Sequence, residues 1–280
     1  MNASQYCTDQ VRKFDRDHFL CSLFAPFSVR ADLCALYAFN LEVSNIVVTT
    51  TEPLIGLMRL QWWRDTLDAV FMGHKEPVGS PVAECLARII RRHDLSRTLL
   101  VDILDIRSEG LEHYNYSDES VLERRAEADV KITRLALNII GVNNSPAIAA
   151  GRHVGLAWGI LGLARSFPFR RQVGRHPFPQ TWCEDLGIQS SAESMSITDS
   201  EWSALTKRLA ARVMDHLSAA RVFAKQVPAA AAPALLPATL ADAYLHRLRR
   251  NGHDLFEADM LSVGTRTLLK LLWRARIGRY

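Results

Sequence analysis

The sequence has no GxSxG elbow, no Walker loop, no dinucleotide-binding GxGxxG and no HExxH. These absences remove the usual motif basis for a serine hydrolase, a P-loop NTPase, a nicotinamide enzyme or a helix-borne zinc protease. It also lacks a dominant charge: 34 basic against 30 acidic side chains leave +4, too little for a chain whose main task is neutralising a nucleic-acid backbone. Nucleic acid is therefore not an expected partner. The five cysteines, Cys7, Cys21, Cys34, Cys85 and Cys183, are an odd number without metal-ligand spacing, which argues against a disulfide framework and for reduced thiols. The first residues, MNASQYCTDQVRKFDRD, are polar, and no run reaches the roughly 18 to 20 apolar residues that span a bilayer. Neither a signal peptide nor a transmembrane helix is expected, which places the chain in the cytoplasm or on the inner face of the cytoplasmic membrane.

What is present is a chain of 280 residues, 48% hydrophobic and 23% charged, enough to bury a sizeable core. Apolar positions recur with helical period: Leu33, Leu36, Tyr37 and Val43, then Leu57, Leu60, Trp63, Leu67 and Val70. The inference is an all-α protein. Turn-forming residues at Ala25-Pro26, Glu52-Pro53, Gly79-Ser80-Pro81, Asn143–Pro146 and Phe167–Pro179 delimit the helices. These are expected over Ser28–Val48, Leu54–Met72, Pro81–His93, Arg97–Tyr114, Ser120–Ile140, Ala147–Ser166, Asp199–Gln226 and Leu235–Asn251, with a loop over Leu186–Thr198. No repeat or internal boundary appears, so residues 1–280 read as one domain, with residues 1–16 as an N-terminal extension and 264–280 as a basic amphipathic segment.

Several constellations invite a chemical reading. Asp102, Asp105, Glu109 and Glu112 lie at offsets 0, 3, 7 and 10, a stripe along one helix face that suits either a hard cation or plain solvation. Adjacent Trp62 and Trp63 must point in different directions, so one can enter the core while the other packs outside it or lines a cavity. Gly155, Gly159 and Gly162 leave one helix face bare, which serves either close approach of another helix or a flat apolar ligand. Arg165, Arg170, Arg171, Arg175 and His176 follow it, a set that suits phosphate as well as it suits a solvated loop. At the C-terminus, TRTLLKLLWRARIGRY combines basic and apolar residues as a membrane-interface helix does, and equally as a docked terminal helix does.

The segments FLCSLFAPFSVRADLCALYAFNLEV, IGLMRLQWWRDTLDAV, SPVAECLARIIRRHDL, HVGLAWGILGLARSFPF and YLHRLRRNGHDLF, taken in order, resemble the squalene and phytoene synthase family over most of the chain. The resemblance implies an isoprenoid-synthase fold, one helical domain around a central cavity. Active members hold Mg²⁺ on a prenyl diphosphate with two acidic motifs, and the cations assist departure of the leaving group. Here the first motif aligns with Ser44, Asn45 and Val48, and the second with Ser166 and Arg170, none of them an anionic ligand.

That departure, with NLEV, RLQWWRD and LARSFPF, is similar to the branch of the family made up of respiratory complex I assembly factors and their bacterial relatives. It implies a pseudoenzyme without catalytic residues, metal ligands or cofactor that binds an isoprenoid or lipid-like molecule or a respiratory-complex subunit, and that meets the membrane surface. The alternative is a prenyl diphosphate transferase with an altered Mg²⁺ site, acting on farnesyl or geranylgeranyl diphosphate. Candidate phosphate contacts are Arg30, Arg59, Arg64, Arg165, Arg170 and Arg171, and candidate cavity-lining residues are Ser44, Asn45, Gly155, Gly159, Gly162 and Ser166.

Overall fold

A computed structural model describes residues 2–73, 77, 79–112, 116–170, 178–188, 198–256 and 264–280, with backbone alone for residues 167–170. Among these residues the regular structure is helical. The helices are α1 (Ala3–Phe14), α2 (Arg16–Ser22), α3 (Phe27–Thr49), α4 (Pro53–Phe71), α5 (Pro81–His93), α6 (Arg97–Glu112), α7 (Glu119–Ile140), α8 (Ser145–Arg170), α9 (Gln180–Asp185), α10 (Asp199–Val222), α11 (Ala232–Leu235), α12 (Pro237–Arg250) and α13 (Thr265–Arg276). The eight helices anticipated from periodicity are all present, with most ends displaced by a few residues. Much of the anticipated Leu186–Thr198 loop lies outside the described residues.

Local chemistry sets the boundaries. Ser80 caps α5 by accepting from the Ala83 amide at 3.3 Å, Pro81 occupies the first turn, and Asp94 closes the helix in the left-handed region at φ 48°. Asp118 accepts from the Ser120 and Val121 amides at the start of α7, and Gly141 ends that helix at φ 80°. Thr198 and Glu201 form a reciprocal capping box on α10.

The segment expected as an N-terminal extension is instead structural. Cys7 and Val11 are four residues apart, share one face of α1 and are fully buried where that helix meets α3 and α5. Polar residues on the outer face of α1 mask this in the sequence. Two helices, Phe27–Thr49 and Ser145–Ser166, are long and apolar enough to cross a membrane, contrary to the expectation from run length. Both are largely buried, because each is surrounded by other helices of the fold.

Helices α7 and α8 pack against each other along their length. A Cβ at Gly155 would lie 2.5 Å from the Val130 Cα, and one at Gly159 would lie 2.8 Å from the Ala126 Cα. These glycines let two backbones touch. They do not line a cavity, which corrects the assignment of Gly155 and Gly159. Gly162, one turn further, would meet nothing within 4 Å among the described residues.

Candidate functional site

The first aligned acidic position lies on α3. Ser44 is half-buried, and its hydroxyl turns back to donate to the Leu41 carbonyl at 3.1 Å within its own helix. Asn45 is exposed and lines a recess of about 480 Å³ with Glu42, Ile46, Arg59, Trp62, Trp63 and Ser80. Glu42 and Asn45 also border a smaller recess of about 120 Å³ beside Gln10 and Phe14. Burial raises the Glu42 carboxyl above its ordinary pKa, and the charge of Arg59 partly offsets this.

The second aligned position lies on α8. The Ser166 hydroxyl also donates within its own helix, to the Leu163 carbonyl at 2.8 Å. Its neighbour Arg165 carries the polar centre of the molecule. The guanidinium lies 4.7 Å from the Trp158 ring and 4.6 Å from the Tyr244 ring, and donates to Asp17 Oδ2 at 2.7 Å. The Tyr244 hydroxyl donates to the same carboxylate at 2.9 and 3.1 Å. Burial alone would lower the Arg165 pKa; the facing Asp17 carboxylate reverses the sign and raises it. Arg165 thus holds an anion supplied by α2 of its own chain.

The surrounding wall is also self-paired. His18 stacks on Tyr37 with ring centres 4.3 Å apart, meets Trp158 edge-on at 5.6 Å and approaches Asp15 Oδ2 to 2.7 Å through Nδ1. Burial opposes the His18 charge, but Asp15 outweighs it and the pKa rises. Arg107 lies 3.7 Å from Asp129 and donates to Asn40 Oδ1 at 3.4 Å.

Mg²⁺ on a diphosphate requires oxygen ligands that carry negative charge. Ser44, Asn45, Val48 and Ser166 supply none, and Asp15, Asp17 and Asp129 are engaged by His18, by Arg165 with Tyr244, and by Arg107. Among the described residues no group of three or more His, Cys, Asp or Glu side chains is arranged to hold a metal ion. Among the described residues, the side chains at the two motif positions do not fit the family's metal.

The remaining candidates are scattered. Arg30 donates through Nε to the Ala25 carbonyl at 2.8 Å. Arg59 is exposed at the α3–α4 recess. Arg64 bonds Asp105 and Ser108 on α6. The Arg170 side chain and all of Arg171 lie outside the described residues. Arg30, Arg64 and Arg165 each have a different local partner.

Three of the four carboxylates in the α6 stripe are likewise paired, Asp102 with Lys131 at 3.6 Å, Asp105 with Arg64, and Glu109 with Arg124. Trp63 is buried edge-on to Phe39 at 5.0 Å, whereas Trp62 is 47% exposed and lines the recess. Sequence reasoning missed Asp15, Asp17, His18, Arg107, Asp129 and Tyr244. The RDH triplet at Arg16–His18 was the available signal, a dense polar cluster directly before an apolar run.

The family model for squalene/phytoene synthase matches residues 11–276. The chain belongs to the squalene/phytoene synthase family. Relatives within and beside that family differ in what their names describe. One from Bos taurus, NADH dehydrogenase (ubiquinone) complex I, assembly factor 6, is 32% identical over 97% of this chain and 82% of its own length. A presqualene diphosphate synthase from Rhodopseudomonas palustris is 22% identical over 70% of this chain and 69% of its own. Among solved structures, a dehydrosqualene synthase superposes with a TM-score of 0.81 over 98% of this chain and 95% of the other at 16% identity. That likeness bears out the all-helical isoprenoid-synthase fold. Family membership supplies the scaffold.

Proposed function

We propose that this chain is a catalytically degenerate member of the squalene/phytoene synthase family that assists assembly of respiratory complex I. One observation carries the reading: neither acidic motif keeps a carboxylate, Ser44 and Ser166 bond within their own helices, and the adjacent Arg165 is paired with Asp17. Without paired carboxylates a divalent ion has no anchor, and without it a diphosphate leaving group keeps its charge. The assembly-factor relatives, matching nearly the whole chain, support the assembly role.

In this reading the protein works at the inner face of an energy-conserving membrane and needs no Mg²⁺. It recognises a respiratory-complex subunit or an isoprenoid or lipid-like molecule. The open space beside Gly162 supports room for such a molecule.

Two measurements test the proposal. Purified protein incubated with farnesyl or geranylgeranyl diphosphate and Mg²⁺ should release no diphosphate; a coupled product would overturn the reading in favour of an active transferase. Deleting the gene from a bacterium that uses complex I should lower NADH:quinone activity of its membranes, with the wild-type gene restoring it. Unchanged activity after deletion would remove the assembly role.

A further inference from the structure

The C-terminal helix is clamped on one side and bare on the other. Leu271 is buried, Lys270 Nζ lies 3.3 Å from Asp242 Oδ2, Arg279 donates to the Ala224 carbonyl at 2.7 Å and the buried Tyr280 hydroxyl donates to the Ala220 carbonyl at 2.9 Å. Gly278, at φ 63°, completes the clamp: a Cβ there would lie 2.5 Å from the Ala229 Cβ. These contacts fix which face α13 turns outward.

That outer face carries Leu269, Leu272, Trp273 and Ile277, which are 61%, 54%, 59% and 45% exposed, interleaved with exposed Arg266 and Arg276. At helical spacing these six side chains fall within an arc of about 140°. Residues 264–280 contain five basic residues and no Asp or Glu. An ordinary solvated helix does not turn four large apolar side chains to water on one arc. A purely apolar protein groove would leave the two guanidinium groups without anions.

We infer that the exposed face of α13 is a docking surface for an anionic lipid membrane, with Leu269, Leu272 and Ile277 entering the acyl boundary, Trp273 at head-group depth and Arg266 and Arg276 on lipid phosphates. Apolar side chains interleaved with cations match both layers of such a surface, apolar below and anionic above. The inference draws on the function proposed above only for where the protein works; binding itself is a property of the purified chain.

The test is flotation of the full chain with vesicles of phosphatidylcholine alone or with one third phosphatidylglycerol. Wild type should float with the anionic vesicles, stay down with the neutral ones and detach when salt rises to about 0.5 M, where screening acts within a few ångströms. Each basic residue near an anionic surface strengthens binding about fivefold, so Arg266→Glu/Arg276→Glu should bind at least about 25-fold more weakly. Trp273→Ala should lose binding without a change in melting temperature, since its ring is largely in solvent. Equal flotation with neutral vesicles, no flotation with either, or wild-type flotation of the folded double variant would each overturn the inference, the second pointing to a protein partner. Failure here leaves the complex I deletion experiment unaffected, and failure of that experiment leaves lipid binding unaffected.

Discussion

Arg165 and Asp17 stand 148 positions apart in sequence and meet at 2.7 Å inside the fold, with the Arg165 guanidinium flanked by Trp158 and Tyr244. The pair joins α2 to α8, and the Tyr244 hydroxyl brings α12 to the same carboxylate. A guanidinium between aromatic faces is well placed to receive a phosphate oxygen. Here the place is taken by an oxygen of the chain itself, from the carboxylate that also joins the three helices.

Removing one partner should therefore be worse than removing both. Asp17→Asn leaves a buried guanidinium facing a neutral amide and is expected to lower stability by about 3 to 5 kcal/mol. Arg165→Met in the same chain should recover much of that loss. Urea unfolding of the two single variants and the double variant measures the coupling; additive losses would show that the pair does not act as a unit. Asp17→Ala should also expose Arg165 to added pyrophosphate, read as a rise in melting temperature that wild type does not show.

The glycines on α8 separate two roles within one motif. Gly155→Ala would drive a methyl into the Val130 backbone at 2.5 Å, and backbone on an opposing helix cannot swing aside as a side chain can. The expected loss is about 3 kcal/mol, the upper end of overpacking penalties. Gly162→Ala meets nothing within 4 Å, so the gain in helix propensity should stabilise the protein by about 0.5 to 1 kcal/mol. Chemical denaturation of the two variants should give opposite signs; a destabilised Gly162→Ala would mean that something occupies the open space.

The helices were legible because turn-forming residues separate long segments rich in apolar residues, and α5 could be bounded to the residue by Ser80, Pro81 and Asp94. The close approach of a second helix to Gly155 and Gly159 was one of the two explanations the bare face allowed. What the sequence could not display was the partner of each charge. Asp17 and Tyr244 lie 227 positions apart, and nothing in local spacing links an acidic residue near one terminus to a tyrosine near the other. The short helix α1 was hidden for a related reason. Only Cys7 and Val11 are fully buried, with Ala3 and Tyr6 half-buried beside them, too few apolar positions to outweigh its polar surface in a periodicity reading.

Acid should destabilise the interface among α7, α8 and α10. His153 Nδ1 and His216 Nδ1 are 3.3 Å apart, with Glu123 and Arg212 beside His216, Glu119 beyond Arg212 and Arg152 acting on His153. Burial is the main cause lowering both histidine pKa values from the ordinary 6.5, and Arg152 and Arg212 push the same way. A histidine with a depressed folded pKa binds fewer protons folded than unfolded, so its contribution is intact above 6.5 and is lost as pH falls below that value. His18 has the opposite sign: its raised pKa contributes stability that is present below 6.5 and disappears as pH climbs through the folded value. Melting temperatures between about pH 5 and 8 should show a flatter acid limb in His216→Gln and a flatter neutral limb in His18→Gln. Parallel curves for wild type and both variants would remove the histidines as the cause.

The carboxylates of α6 offer a last way to separate charge from chemistry. Asp102, Asp105 and Glu109 point to Lys131, Arg64 and Arg124 on the outside of the fold, where ion pairs between water-exposed groups contribute about 0 to 1 kcal/mol each. Cations of the chain already pair with these three carboxylates, so a divalent ion held by them would have to displace guanidinium and ammonium groups before binding. Asp102→Asn/Asp105→Asn should consequently shift unfolding by less than about 2 kcal/mol in total, and calorimetric titration of wild type with MgCl₂ should give no saturable heat. Saturable Mg²⁺ binding that the double variant abolishes would make the stripe a metal site and would reopen the question of where this scaffold keeps its cations.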